Sequence, residues 1–562
     1  MCRKVMVSAK LVVAMMPGRS RRLIFNIFGS CLILLGLANI LFSESFFNKF
    51  LEKEMILSPG SKTFELWKKP PLNIKLDFYL FNWTNPEDFD KPYIKPKFEE
   101  LGPYRFMEVP HKVDIKWHPQ NASMSYKKQS KYYFDAEGSK GSLDDEIVTV
   151  NSLAVSLSSK AKNWNLLRRK VIDMALNVYN DDISIRKTVN DLLFEGYEDV
   201  LLNLANFLPS SLTEVKVPFD KFGYCYPRNY SADVTGIFNI HTGADDIRKF
   251  GQVHTWNYKD TTNAYAPECA KVYGSAGEFQ SLYLQPNKPV DFFLSDICRS
   301  VKMDYVEATE VEGIRGYRYE GGKRMVDNGT LYPENVCHCN GKCVPSGLIN
   351  ISSCWFGSPM FLSYPHFHDA DPTYLSQVDG LKPEKDKHEL YLVLEPKSGL
   401  LLDMAARLQS NILIEPIAHF KLFKNKRRIF FPLFWFEART RVPLDLTGEF
   451  KLLPRAILTA QILGGFSILG GLILLAWYPI KVHLQNRLIQ QIKINNLDSQ
   501  THHQIVGKQI SLQPEVSPLL VSSVQANAKI LERADTEIST LSIDACTSST
   551  DRSSMQSTTS ST

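Results

Sequence analysis

Two long stretches of this chain carry no charge, and between them hydrophobic residues mostly alternate with polar ones. The first uncharged run is Leu23 to Phe42, LIFNIFGSCLILLGLANILF. The second is Ala456 to Ile480, AILTAQILGGFSILGGLILLAWYPI. At about 1.5 Å per residue, ~20 helical residues cross a hydrocarbon core of about 30 Å, so each run predicts a transmembrane helix. A cleaved signal peptide is the alternative for the first run, but its apolar core spans only about 7–15 residues. The second run ends on Trp477 and Tyr478, where an interfacial aromatic belt belongs, and Lys481 follows. Its glycines, Gly464, Gly465, Gly470 and Gly471, suit close approach of another helix, although no strict G-x3-G is present.

Between the runs, period-two alternation predicts strands. Ile74, Leu76, Phe78 and Leu80 alternate with Lys75, Asp77 and Tyr79; Leu390, Leu392 and Leu394 repeat the pattern, as do Phe420 and Leu422. Turn signals separate these segments at Asn85-Pro86, Gly102-Pro103, Pro286-Asn287 and Lys382-Pro383. From about Asn163 to Phe207 the spacing becomes helical, through Leu167, Val171, Met174, Ala175 and Val178, then Val189, Leu192, Leu193, Val200, Leu201 and Leu204. The expected body is therefore mostly β with a helical insertion, an α+β fold.

Charge orients the chain. Arg19, Arg21 and Arg22 precede the first run, and Lys481, Arg487 and Lys493 follow the second, so both termini are expected in the cytosol. This divides the chain into a cytosolic segment 1–22, spans 23–42 and 456–480, a lumenal or extracellular body 43–455, and a cytosolic tail 481–562. All five N-glycosylation sequons, at Asn82, Asn121, Asn229, Asn328 and Asn350, fall in 43–455, as that topology requires. The net charge of +5 on 562 residues gives no case for a nucleic-acid partner.

Six cysteines, Cys269, Cys298, Cys337, Cys339, Cys343 and Cys354, crowd into the same body. With His338, His366 and His368 nearby they offer zinc ligands, but the C-x-C-x3-C spacing lacks the paired C-x2-4-C repeat of structural zinc sites. An oxidising compartment favours disulfides, and no metal is expected. Cys225 has no evident partner. His366, His368, Asp369 and Asp371 suit a hydrogen-bonded turn better than a metal site. No G-x-S-x-G, P-loop or H-E-x-x-H motif occurs, so neither catalytic residues nor a cofactor are expected.

Several segments carry a resemblance. FNWTNPEDF (81–89), ELGPYRF (100–106), YYFDAEGSKGSLDDEIVTVN (132–151) and LLFEGYEDVLL (192–202) resemble the class B scavenger receptor family. So do SDICRS (295–300), SYPHFHDADP (363–372) and LEPKSGLLLDMAARLQSNILIEP (394–416), in the family's order. The similarity covers about residues 20–480; the long tail lies outside it. It implies an antiparallel β-barrel core with an apical helical bundle, a hydrophobic tunnel towards the bilayer, and two membrane anchors. It also implies the pairing Cys269–Cys337, Cys298–Cys354 and Cys339–Cys343, the last across a shorter spacing than the family shows.

The expected function is that of a scavenger-type receptor. It would bind lipids, fatty acids or lipoprotein-like cargo and mediate their uptake or transfer to the membrane. On a helix from Asn163 to Tyr179, Leu167, Val171, Met174, Ala175 and Val178 share a face read as buried, with Arg169 opposite its centre and Arg168 and Lys170 on its flanks. With Lys160 and Lys162 they form a basic surface in the region where the family binds ligands. Glu515, Leu519 and Leu520 match an acidic dileucine signal for endocytic adaptors, and Cys2 is a candidate palmitoylation site. Ser and Thr supply 15 of the last 25 residues, which predicts a disordered tail. The expected location is the plasma membrane with endosomal or lysosomal cycling, and homo-oligomers are admitted. Two other readings are a lysosomal trafficking receptor for a lumenal protein and a chemosensory accessory protein delivering odorants or pheromones.

Overall fold

The computed structural model describes residues 18–71, 74–179, 182–207, 219–444 and 446–507. Cys2 and the dileucine residues Glu515, Leu519 and Leu520 lie outside them. The described residues fall into two compact units, one within residues 33–468 and one within residues 1–32 and 469–562. Two helices are long and apolar enough to cross a membrane: α1, Gly18–Met55, and α6, Thr447–Gly507. Both continue well beyond the uncharged runs that predict them. Within the larger unit they meet at glycines, where a Cβ on Gly36 would sit 2.5 Å from the carbonyl oxygen of Gly464. Within the smaller unit a Cβ on Gly29 would lie 3.0 Å from the Gly471 carbonyl oxygen. Gly465 and Gly470 meet nothing.

The body of the larger unit is a 13-stranded antiparallel sheet. Along it run β7 (Val253–Trp256), β6 (Ile237–His241), β3 (Ser123–Phe134), β2 (Phe98–His118), β1 (Ile74–Trp83) and β15 (Ile429–Arg441). The sheet continues through β14 (Leu401–Ile414), β13 (Tyr391–Leu394), β10 (Ile314–Glu320), β9 (Arg299–Val311) and β8 (Val290–Leu294), while β12 (Met360–Ser363) branches from β14 and carries β11 (Ile349–Asn350). The separate pair is β4 (Glu146–Val150) with β5 (Ser184–Thr188).

The sheet curls until its ends nearly meet. A strap at Gly274 and Ser275 joins the two edges: the Val253 N–H donates to the Gly274 carbonyl at 2.8 Å, and the Ser275 N–H to the Asp291 carbonyl at 2.9 Å. Closure removes open edges, the usual hazard of a large sheet. Gly274 has φ +90°, and a Cβ there would lie 2.7 Å from the Asp291 carbonyl carbon, so only glycine fits between the edges.

Alternation places Leu76, Phe78 and Leu80 of β1 in the core. Asp77, on the other face, is buried too, because Arg105 holds it through two hydrogen bonds of 2.6 and 2.7 Å. Two sequence expectations need correction. Gly102-Pro103 is not a turn; it lies inside the 21-residue β2, where the register against β1 slips, and Gly102 (φ +127°) packs against the Phe78 carbonyl. Phe420 and Leu422 are not in a strand. Successive turns bury Ile417, Phe420 and Phe423 over the core, so the informative spacing there is three, not two.

The helical insertion begins earlier than its spacing predicts and is interrupted by β5. After the short α2 (Lys62–Lys68) that follows α1, it comprises α3 (Ser152–Ala161), α4 (Leu166–Tyr179) and α5 (Val200–Phe207), plus one turn at Val189–Leu192. The Asn151 side chain caps α3 by accepting from the Ala154 N–H at 3.0 Å. Val189, Leu192, Leu193 and Leu201 are buried as their spacing predicts, whereas Val200 is exposed.

Candidate functional site

Inside the barrel and beneath the helices lies a cavity of about 660 Å³. This is within the range of roughly 300–1,000 Å³ found for small-molecule sites. Its wall is built from inward residues of many strands, among them Phe78, Phe434, Phe436, Met404, Leu408 and Met303. Alternation explains this lining: each strand sends every second side chain inward, and here most of those are apolar. On α3, Leu153, Ser156, Leu157 and Lys160 recur at helical spacing and roof the cavity. At the other end it reaches Phe279, Gln280 and Gly399. The Gln280 N–H donates to the Gly399 carbonyl. The neighbouring Tyr283 hydroxyl donates to the Asn48 carbonyl at 3.2 Å and to Glu52 at 3.1 Å, on α1 just past the first uncharged run. Among the described residues no histidine lines this cavity.

The basic patch read from the sequence is dispersed. Lys160 lines the cavity and donates to the Phe356 carbonyl at 3.0 Å. Lys162 is paired with Glu415 at 2.5 Å. Arg168 and Arg169 are half-buried and Lys170 is exposed; Arg169 donates to the Lys162 carbonyl at 3.5 Å. Apart from Ala175, which is half-buried against the core, the stripe read as buried is in fact open: Leu167 is 74 % exposed, Met174 63 % and Val178 65 %, with Val171, Leu166 and Tyr179 exposed as well. Ile172 and Leu176 anchor α4 instead. Helical spacing marks a face as apolar but does not say what covers it.

The cysteines close three bridges, Cys269–Cys337 and Cys298–Cys354 with Cα atoms 5.8 Å apart and Cys339–Cys343 at 4.8 Å. His338 Nδ1 lies 3.3 Å from Cys269 Sγ, but sulfurs bonded to each other are not thiolate ligands. Cys225 is a free, buried thiol in the cavity wall, pushed up to about 12 by burial. Of the sequon residues, Asn121 is exposed and the other four are partly buried. The Asn82 and Asn229 amide oxygens accept the Val148 and Tyr132 N–H groups, and that of Asn350 accepts the Ser352 hydroxyl. The Asn328 amide donates to the Val344 carbonyl at 2.7 Å.

His366 belongs to a buried turn. Its Nε2 meets Glu100 at 2.5 Å, its Nδ1 accepts the Lys382 N–H at 3.0 Å, and its ring stacks on His388 at 4.4 Å. Burial, with the His366 ring beside it, pushes His388 from 6.5 down to about 3. The unfolded chain therefore takes up a proton below about pH 6.5 that the folded chain refuses until near pH 3. Stability is full above 6.5 and falls with acidification, by about 1.4 kcal/mol per pH unit for one such group. Thermal unfolding of the purified protein should show a lower midpoint at pH 5 than at pH 7, with a smaller pH slope for His388→Gln. An equal slope in the variant would exclude His388 as its source.

The comparisons with known proteins agree with this architecture. Residues 27–482 match the CD36 family. Protein peste of Drosophila melanogaster is 42% identical over 475 residues, 83% of this chain and 84% of that protein. Scavenger receptor class B member 1 of Bos taurus is 30% identical over 412 residues, 73% and 79% of the two chains. Lysosome membrane protein 2 of Rattus norvegicus is 29% identical over 405 residues, 71% and 82%. With one match running through barrel, apical helices and most of both long helices, the chain belongs to the CD36 family of class B scavenger receptors.

Proposed function

We propose that this membrane protein is a receptor that captures lipid-bearing cargo at its helical apex and passes single lipid molecules through the barrel to the bilayer. The observation that carries this reading is the apolar cavity, roofed by α3 and ending beside residues that touch Asn48 and Glu52 of α1. Each CH2 kept out of water contributes about 0.8 kcal/mol, so a long acyl or sterol chain moves readily only along an apolar path. The topology that suits such transfer has both termini in the cytosol and the body 43–455 outside or in a lumen. The plasma membrane is then the main location, with endosomal cycling through the dileucine residues.

Capture falls to the open face of α4 rather than to a purely basic patch. Leu167, Val171, Met174 and Val178 form an apolar strip with Lys170 exposed beside it, the composition of a helix that lies in a lipid interface. Replacing those four residues by Ser should leave folding nearly unchanged, because exposed substitutions shift stability by about 0.5 kcal/mol or less. Binding of phosphatidylcholine particles by cells displaying the variant should fall at least about ten-fold, since each side chain can supply roughly 1.5–3 kcal/mol on burial. Undiminished particle binding at normal surface density would remove the strip from capture.

The same strip supports a second reading, a trafficking receptor carrying a lumenal protein, in keeping with the relative named lysosome membrane protein 2. In that case the four-Ser variant would lose a co-purifying lumenal protein while lipid uptake stays intact.

A further inference from the structure

The helix α6 does not stop at the end of its uncharged run. It continues past Ile480 to Gly507, about 40 Å further at ~1.5 Å per residue. The run closes on Trp477, Tyr478 and Pro479, and Pro479 has no N–H to give the Leu475 carbonyl. A helix bends most readily at such a gap in its hydrogen-bond ladder. Just beyond it, apolar residues gather on one side. At about 100° per residue, Val482, Leu484, Leu488, Ile489 and Ile492 fall within an arc of about 160°. Up to Ile492, only Lys481 and Gln485 interrupt that arc; His483, Asn486, Arg487, Gln490 and Gln491 take the other side, followed by Lys493. Leu484, Leu488, Ile489 and Ile492 are each more than half exposed, so the described chain leaves this side open.

Charge indicates what covers it. No Asp or Glu occurs between Glu449 and Asp498, and Lys481, Arg487 and Lys493 are all exposed. A second copy of the chain is the poorer match. A coiled coil would carry the Leu484–Leu488 seam on through Gln491 and Asn495, which are polar. A cationic helix with one apolar side, tethered at the edge of a bilayer, is matched instead by an anionic lipid surface.

We propose that residues 481–493 turn at Pro479 and lie along the anionic cytosolic leaflet. Leu484, Leu488 and Ile492 enter the acyl boundary, and Lys481, Arg487 and Lys493 are drawn to anionic head groups. The inference rests on the topology proposed above, with the C-terminus in the cytosol, and not on lipid passage through the barrel. It holds the start of the tail, and with it the approach to Glu515, Leu519 and Leu520, at the membrane surface rather than at the end of a projecting helix.

The test uses the full chain in nanodiscs of phosphatidylcholine, alone or mixed with phosphatidylserine. A photo-crosslinking benzoylphenylalanine replaces Leu488, or Gln490 on the opposite side. In mixed discs the probe at position 488 should form at least about five times more lipid adduct than the probe at position 490. Leaving out phosphatidylserine should cut that adduct at least about five-fold, since a single basic residue near an anionic surface contributes about that factor. Combining Lys481→Gln, Arg487→Gln and Lys493→Gln should do the same. Raised salt should also do so in mixed discs, which preserves the test if the triple variant does not assemble. Equal adduct at the two positions, adduct indifferent to phosphatidylserine, or a dimer crosslinked through position 488 in cell membranes would overturn the proposal. Antibody staining of the C-terminal tail on intact cells would instead overturn the topology on which it rests.

Discussion

An Ala406→Trp chain is expected to bind lipid particles normally and to transfer almost none of their lipid to the cell membrane. Ala406 on β14 and Ala438 on β15 are paired in register and both line the cavity, so together they leave it open along these two strands. An indole introduced there extends into space that is already vacant. The overpacking cost of about 1–3 kcal/mol seen in filled cores therefore does not apply in full. Loss of the path is another matter, because a blocked chain must cross water or wait for the barrel to open. Transfer of a labelled long-chain lipid should fall at least about ten-fold, a change of roughly 1.4 kcal/mol or more in the barrier. Ala406→Leu should give an intermediate rate. Particle binding depends on the open face of α4 and should not change. Full transfer by a correctly delivered Ala406→Trp chain would mean that lipid does not pass through this cavity.

Cys298→Ser is expected to hold the chain in the early secretory pathway. The Cys298–Cys354 bridge spans a sequence separation of 56 residues, and constraining a loop of that length in the unfolded chain contributes about 4 kcal/mol on the chain-entropy estimate. That is a large share of the roughly 5–15 kcal/mol by which a typical domain is stable. The bridge also joins the turn between β8 and β9 to the segment carrying Trp355, which holds Asp296 at the cavity wall. Cys339–Cys343, with a separation of 4, closes so short a loop that Cys343→Ser should be much milder. Maturation of the glycans separates these outcomes. A Cys298→Ser chain that acquires mature glycans at the wild-type rate would show that the bridge is not needed for folding.

What the sequence determines by itself here is what local chemistry dictates. An uncharged apolar run of 20 residues is long enough to cross a bilayer as a helix, so α1 and α6 are visible without neighbours. Alternation at Leu76, Phe78 and Leu80 makes β1 legible for the same reason, since a strand's two faces are set by its own backbone. The motif order identifies the family, and with it a barrel and a tunnel. Tertiary structure alone decides which apolar faces are covered. Leu167, Met174 and Val178 look like a core stripe, but Ile172 and Leu176 take that place, and the choice depends on where the rest of the fold sits against α4. The same holds for the charged residues of the cavity wall. Glu108, Lys128, Arg228, Glu278 and Asp296 come from distant parts of the chain, and no spacing joins them. Only closure of the sheet through the Gly274–Ser275 strap turns scattered inward residues into one cavity with an apolar path and a polar side.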